Sequence, residues 1–203
     1  MQIEIRSDNL AVISGYVNVV ERESRVLLDA AGQFVEIVQS GAFARSMDRS
    51  PEVGLRFDHG RQLGTTNDIL KLKEDAIGLH AEARVSDPEV ISKARKGELR
   101  GWSFGFNAKE ATWTQRADGM RLRTLTDIDL IEVSILDVTP AYIATSIEAR
   151  DGDQHLKEYR YYSENIELVD NSAPVDKKEE QRMENNTVDM DLLKRKFEIL
   201  TLS

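Results

Sequence analysis

The sequence predicts a mainly β protein, an antiparallel β-barrel with a few helices (α+β) followed by a flexible C-terminal extension. Apolar and polar residues alternate along most of the first 150 residues, as in half-buried strands. Turns that contain glycine separate these segments, whereas only Gly152 of the 12 glycines lies beyond residue 150. We expect a closed or nearly closed barrel, because closure leaves few exposed strand edges.

Composition and charge exclude several classes of protein. The 203 residues include 27 Lys and Arg, 36 Asp and Glu and no cysteine, for a formal net charge of -9. The lack of cysteine excludes a disulfide scaffold, a thiol nucleophile, a zinc–thiolate site and an iron–sulfur cluster. Without a basic block, a long apolar segment or a signal-peptide pattern, we expect no nucleic-acid or membrane binding. The prediction is a soluble cytoplasmic protein without a cofactor.

In most of the first half of the chain, apolar and polar residues alternate as is typical of strands. Ile3 and Ile5 alternate with polar residues, and a longer strand follows at 10–20. Residues 41–47 predict one or two helical turns that carry Phe43. The remaining strands predicted in this half lie at 35–38, 53–57, 69–74 and 79–85, the last two forming a hairpin around residues 75–78.

The second half combines one clear helix with two long strands. Asp87 predicts a helix cap and Pro88 the first helical position, while Gly97 predicts the end of the helix. The two long strands are predicted at 101–114 and 120–137. A glycine-containing turn at 116–119 joins them.

The C-terminal part divides into two segments after the predicted body, 1–150. Residues 151–187 predict an acidic flexible linker, because few large apolar side chains are available to offset the entropy of ordering. Within 188–203, Leu193 and Phe197 recur at a helical step. We predict a short amphipathic helix there that docks into a groove of a partner.

One of the three histidines is a candidate for chemistry. His59 follows Leu55 and Phe57 on one face of a predicted strand, so its imidazole points where apolar side chains point and needs a polar partner. The alternative is a core histidine bonded to a backbone carbonyl. His80 lies on a polar strand face and His155 in the charged tail, where we expect solvated side chains.

Ser103 is the candidate hydroxyl, in the segment Gly-Trp-Ser-Phe-Gly-Phe-Asn at 101–107. Strand alternation directs the three aromatic side chains to one face, and Ser103 and Gly105 to the other. The missing side chain at Gly105 leaves room for another chain to approach. An ordinary strand serine beside a bulge glycine is the alternative.

Glu132 is the candidate buried carboxylate, because its strand is apolar on both faces. An unpaired charge there would cost on the order of several kcal/mol, so Glu132 needs a donor. A neutral imidazole whose other nitrogen faces a serine is one such donor, and an ion pair with Arg56 or Arg121 is the structural alternative. Ser103, His59 and Glu132 supply a nucleophile, a base and an orienting carboxylate, although spacing alone does not bring them together.

Five motifs occur in order along residues 1–150. They are Gly41-Ala42-Phe43, Phe57-Asp58-His59, Gly78-Leu79, Gly101-Trp102-Ser103-Phe104-Gly105-Phe106, and Glu132-Val133-Ser134-Ile135 leading to Thr139-Pro140-Ala141. This series resembles the prohead serine protease family of tailed bacteriophages, capsid maturation proteases related to herpesvirus assemblin. The resemblance implies an assemblin-like barrel with Ser103 as nucleophile and His59 as base. Assemblin-type enzymes use a second histidine as the third member; here we assign Glu132, with Asp127, Asp129 or a dyad as alternatives.

The resemblance also implies a substrate and a location. It implies a serine endopeptidase that cleaves the scaffold, or the scaffold-like segment of the major capsid protein, within the immature prohead in the host cytoplasm. Self-cleavage within 151–203 is implied as well. Assemblin relatives dimerise, so a homodimer is one alternative, and the oligomeric state stays open. The oxyanion hole is expected near Gly101 or in the loop after Asp137.

Two other functions are compatible with the residues alone. A non-catalytic procapsid assembly module would use the same barrel as a scaffold partner. A serine esterase is disfavoured because the chain lacks the G-x-S-x-G nucleophile elbow. A metallohydrolase is disfavoured further, since there is no pair of histidines at ligand spacing.

Overall fold

A computed structural model describes residues 1–50, 52–137, 149–150, 156–162 and 165–172. In these residues strands predominate and there are two helices, which confirms the predicted mainly β class. The elements in chain order are β1 (Gln2–Ser7), β2 (Leu10–Val19), β3 (Leu27–Asp29), β4 (Gly32–Val38), α1 (Ala42–Arg49), β5 (Gly54–Phe57), β6 (Arg61–Thr65), β7 (Leu70–Glu74), β8 (Gly78–Val85), α2 (Pro88–Arg95), β9 (Gly101–Gln115), β10 (Arg121–Leu136), β11 (Ala149–Arg150), β12 (Leu156–Tyr162) and β13 (Glu167–Asp170).

The strands form two sheets. One has five strands in the order β13-β1-β2-β8-β7, and the other has eight, in the order β11-β12-β9-β10-β4-β3 with β5 on β10 and β6 on β5. Within the described ranges neither sheet closes on itself, so the predicted barrel closure is wrong. Several pairings are also parallel: β10 with β4 and β5, and β1 with β13. Alternation predicts which face of a strand is buried, but it does not predict which strands become neighbours.

The two predicted hairpins are confirmed. Between β7 and β8 the Asp75 carboxylate accepts hydrogen bonds from the backbone N–H groups of Ile77 (2.8 Å) and Gly78 (3.1 Å). β9 and β10 pair antiparallel along almost their whole length. Gly119 in their turn has φ of 84°, a conformation that a residue without Cβ adopts at little cost.

Helix α2 begins where local chemistry predicts, and α1 lies against β10. The Asp87 side chain caps α2 by accepting hydrogen bonds from the N–H groups of Glu89 and Val90, and Pro88 occupies the first turn. α1 packs against β10, where the buried Ser46 hydroxyl accepts a hydrogen bond of 2.7 Å from the Leu130 N–H. α1 therefore supports the strand that carries Glu132.

The core is centred on the aromatic face of β9. Trp102, Phe104 and Phe106 are each at most 1% exposed, and one apolar cluster joins them to residues of both sheets. Phe104 packs edge-on against Phe43 of α1, with ring centroids 5.3 Å apart. The predicted facing of this strand is confirmed, and it leaves Ser103 on the face opposite to the aromatic rings.

The compact unit extends beyond the predicted boundary at residue 150, to Asn171. The predicted linker 151–187 contains two strands, β12 on β9 and β13 on β1. Its low apolar content misled the prediction, because β12 is held in part by the buried charged residues Glu158 and Arg160. Residues 151–155, 163–164 and 173–187 of that segment and the predicted helix at 188–203 lie outside the described residues, and their structure stays a prediction.

Candidate active site

A bulge in β10 decides which face Glu132 occupies. Leu130 pairs with Phe106 and Glu132 with Gly105, so Ile131 is an extra residue between two consecutive positions of β9. An inserted residue reverses the alternation of side chains beyond it. Leu130 is therefore in the core while Glu132 is on the opposite face, although uninterrupted strand alternation predicts that residues 130 and 132 share a face.

Ser103 lies on that same face of β9. It pairs with Ser134 of β10 on one side and with Tyr161 of β12 on the other. Because Glu132 lies two residues before Ser134, Ser103 and Glu132 are diagonal neighbours, for which roughly 7–8 Å separates the two positions. The Ser103 hydroxyl is 1% exposed and donates a hydrogen bond of 2.7 Å to the carbonyl of Arg160.

His59 reaches the site from a turn rather than from a strand. β5 ends at Phe57, and the next two residues have positive φ, 48° at Asp58 and 60° at His59. The left-handed turn, not strand alternation, therefore directs the imidazole, and the predicted continuation of the strand to His59 is wrong. The His59 Nδ1 lies 2.7 Å from Glu132 Oε1, and the side chain is 27% exposed.

The Glu132 carboxylate has both of the partners that the sequence offered as alternatives. Oε1 contacts His59 Nδ1 and accepts a hydrogen bond of 3.2 Å from the Ser134 hydroxyl, while Oε2 lies 2.7 Å from Arg56 Nε. Arg56 also donates a hydrogen bond of 3.2 Å to the carbonyl of His59. One guanidinium thus neutralises the buried carboxylate and holds the strained turn that presents the imidazole.

Gly105 is required by the close packing of this face. A Cβ atom there would lie 2.8 Å from the Tyr159 ring and 2.9 Å from Glu132 Cγ, closer than real Cβ atoms approach their neighbours. Tyr159 in turn packs edge-on against the His59 ring, with centroids 4.4 Å apart. The room predicted beside Gly105 is therefore taken by another segment of the same chain, β12.

Comparison with known proteins adds a family to this geometry. The model of the caudovirus prohead serine protease family matches residues 1–158. This chain belongs to that family. The resemblance read from the five motifs is thereby confirmed, and Ser103, His59 and Glu132 all lie within the matched range.

The chain is similar to a curated protein, the "Prohead protease" of Escherichia phage T5. The two are 27% identical over 137 residues, which cover 64% of this chain and 59% of the relative. The chain thus spans less than two thirds of the length of that relative. No solved structure matches this chain.

The other residues that the sequence offered for this site form ion pairs with partners outside it. Asp127 and Asp129, the alternatives for the third site residue, both pair with Arg49, at 2.8 and 3.2 Å. Arg121 forms a two-point ion pair with Asp29 and does not serve as the cation beside Glu132.

His80 lies on β8, in the five-stranded sheet, whereas the site residues belong to the eight-stranded sheet and its turns. His80 packs edge-on against Tyr16, with ring centroids 5.2 Å apart. His155 and the loop 138–148, one of the two places predicted for the oxyanion hole, lie outside the described residues.

A pair of carboxyl groups that the sequence analysis missed holds the turn next to His59. Asp58 accepts a hydrogen bond of 3.2 Å from the N–H of Asp137, whose carboxylate lies 2.5 Å from Lys93 Nζ. Burial raises the pKa of Asp58, and the Lys93 ammonium lowers the pKa of Asp137. The signal in the sequence was the Asp directly before His59.

The described part of the chain has neither a membrane-spanning helix nor a metal-binding cluster. Neither of its helices is long and apolar enough to cross a membrane. Its His, Asp and Glu side chains form no group of three or more that is arranged to hold a metal ion.

Proposed function

We propose that this chain is a serine endopeptidase of phage capsid maturation. Its substrate would be the scaffold, or the scaffold-like segment of the major capsid protein, and it would also cleave itself. Family membership supports a serine peptidase, and the name of the T5 relative supports action in the prohead. The observation that carries the assignment of residues is the 2.7 Å contact of His59 with Glu132, on the face of the sheet that also bears Ser103.

In the proposed mechanism His59 is the general base. The Glu132 carboxylate at Nδ1 keeps the ring proton on that nitrogen, so Nε2 accepts the proton of Ser103. The Ser103 oxygen bonds to the substrate carbonyl carbon, the C–N bond breaks, and the amine leaves with the proton from His59. Water, deprotonated by His59, then bonds to the acyl carbon, the C–O bond to Ser103 breaks, the carboxylic acid product leaves, and His59 gives its proton to the Ser103 oxygen.

The position of β12 adds one requirement to this mechanism. The Ser103 hydroxyl donates to the Arg160 carbonyl and is 1% exposed, so an external substrate must first displace β12 from β9. Tyr159 lies against His59, so the same displacement uncovers the imidazole. We therefore expect cleavage to be slow until β12 has moved.

Two serine variants test the proposal. Ser103→Ala should lower cleavage of the capsid protein, produced together with this chain, by about 10⁴-fold or more, because it removes the nucleophile. Ser14→Ala is the matched control: it removes a hydroxyl from strand β2 of the five-stranded sheet, outside the site, and we expect cleavage within about tenfold of the unchanged chain. Electrophoresis of the capsid protein and circular dichroism of both variants are the measurements.

The other outcomes separate the competing functions. Unchanged processing by the Ser103→Ala chain would contradict the endopeptidase and favour an assembly module. Labelling of Ser103 by a fluorophosphonate, without cleavage of any peptide, would favour a serine esterase.

A further inference from the structure

Strand β12 lies where an extended peptide would meet the proposed nucleophile. It runs antiparallel to β9, with Tyr161 opposite Ser103 and Arg160 opposite Phe104. The Ser103 hydroxyl donates its hydrogen bond of 2.7 Å to the backbone carbonyl of Arg160. A peptide carbonyl of an extended strand is the group that a substrate adding to the edge of β9 would present there.

The side chain of Arg160 fills a pocket built for a guanidinium. It is 7% exposed, and its Nε and Nη2 donate to the two oxygens of Glu36 at 2.7 and 2.9 Å. The guanidinium also lies over the Phe106 ring, 5.2 Å from its centroid. A two-point carboxylate contact together with an aromatic wall is the arrangement that selects a planar cation.

A second charge on β12 has its own counter-charge in the body of the protein. Glu158, two residues before Arg160, accepts hydrogen bonds of 2.6 and 2.8 Å from Arg123 of β10. Arg123 also lies 3.2 Å from Glu36, so the body contributes one buried anion and one cation to this cluster. A strand with an acidic residue and, two residues later, a basic residue therefore leaves no buried charge unpaired.

We propose that Glu36, Phe106 and Arg123 form the specificity site of this protease, and that β12 occupies it as a substrate-like strand. The preferred substrate is an extended segment with an acidic residue, any residue, and then an Arg whose carbonyl meets Ser103. The basic side chain enters the Glu36 pocket and the acidic one contacts Arg123. This inference rests on the proposed function, because it assigns a side-chain preference to the same nucleophile.

A pair of peptides tests the preference on the unmodified full chain. One internally quenched peptide carries Glu-Tyr-Arg-Tyr, the sequence at 158–161, and the other carries Gln in place of Arg. We expect the Arg peptide to be cleaved at least about tenfold faster, because Gln leaves the buried Glu36 without its two-point partner. Arg160→Gln, which weakens the resident strand, should raise the rate on the Arg peptide by about tenfold.

A charge reversal sharpens the test. Glu36→Lys should reverse the preference, so that a peptide with Glu in place of Arg becomes the better substrate. Glu23→Lys is the matched control, since Glu23 is an exposed partner of Arg116 and the preference for Arg should persist. If Glu36→Lys fails to fold, the peptide pair on the unmodified chain still decides.

Binding separates this inference from the proposed function. With the Ser103→Ala chain, fluorescence anisotropy should give at least about tenfold tighter binding of the Arg peptide. Equal cleavage and equal binding of the two peptides would overturn the specificity site and leave the peptidase standing. Selective binding without any cleavage by the unmodified chain would support the pocket and overturn the peptidase.

Discussion

Glu132 and Glu36 are two buried glutamates that the fold satisfies in different ways. Glu132 contacts His59 and Arg56, whose side chains are 27% and 32% exposed. Glu36 contacts Arg160 and Arg123, whose side chains are 7% and 12% exposed. One carboxylate therefore lies behind an imidazole that can exchange a proton with the outside, while the other lies among cations that stay charged.

In the proposed mechanism the same residue type serves catalysis at Glu132, whereas at Glu36 it attaches a strand. A buried carboxylate needs compensation in either case, so burial does not distinguish the two roles. The partner distinguishes them: a histidine at Glu132 allows proton transfer, and arginines at Glu36 fasten β12 to the body. Three predictions follow from this comparison, in order of decreasing effect.

Neutralising Glu132 should mainly lower activity, whereas neutralising Glu36 should mainly lower stability. Glu132→Gln should lower kcat/KM by about 10³–10⁴-fold, because the neutral amide no longer stabilises the imidazolium. Glu36→Gln should lower the free energy of unfolding by about 3–5 kcal/mol, because it leaves Arg160 buried with a weaker partner. Peptide kinetics and urea unfolding measure the two effects; the comparison fails if Glu132→Gln destabilises as much as Glu36→Gln.

Two glycines beside Glu132 should differ in their tolerance of a methyl group. Gly105→Ala places a Cβ 2.9 Å from Glu132 Cγ, so we expect a loss of about 10²-fold in activity as the carboxylate is displaced. Overpacking should also cost about 1–3 kcal/mol of stability. Gly54→Ala is the control, because its nearest neighbour, Glu132 Cβ, lies at an ordinary 3.8 Å. Comparable losses in both variants would show that close packing at Gly105 is not the cause.

Acid should affect the contributions of Glu158 in β12 and of Asp58 next to His59 with opposite signs. Burial by itself raises the pKa of Glu158, but hydrogen bonds and charges from Arg123 and Arg160 outweigh it, and the net pKa is lowered from 4.5. A lowered pKa means that the stability contributed by Glu158 is present above pH 4.5 and is lost as the pH falls through the folded-state value.

The sign is reversed for Asp58, which packs with Asp137, Lys93 and His59. Burial raises its pKa above 3.8, so its stabilising contribution is present below that pH and is lost as the pH rises through the folded-state value. Hydrogen exchange at pH 7 and pH 3, expressed as protection factors that correct for the slower intrinsic exchange in acid, should therefore show lower protection of β12 as the pH falls. Asp58→Asn should preserve or increase thermal stability at neutral pH, whereas Glu158→Gln should decrease it. Uniform acid sensitivity of the two regions would rule out this assignment.

The strands and the site residues were predicted with different success. The hairpins, the Asp87 cap and the aromatic face of β9 depend on neighbours close in sequence or on strand periodicity, so local patterns predicted them. The pairing of His59 with Glu132 was stated as a requirement of burial, and the structure satisfies it. Strand alternation nevertheless gave the wrong direction for both side chains. A bulge at Ile131 directs Glu132, and a left-handed turn directs His59.

Other features left no periodic signal. β12 is held by charged residues that pair with Glu36 and Arg123, each more than thirty residues away along the chain. A scan for apolar content treats such a strand as a linker. The open sheets and the parallel pairs of β10 likewise arise from contacts between distant segments, which alternation does not encode.

The amino-acid sequence by itself determined the mainly β class, the family and the three residue types of the candidate site. Propensity, periodicity and motif order are properties of short segments, and they survive without knowledge of the fold. Only the tertiary structure decided that Arg56 shares Glu132 with His59, and that Arg160 lies at Ser103. Those contacts depend on strand register, and a shift of one residue in register exchanges the faces on which the side chains lie.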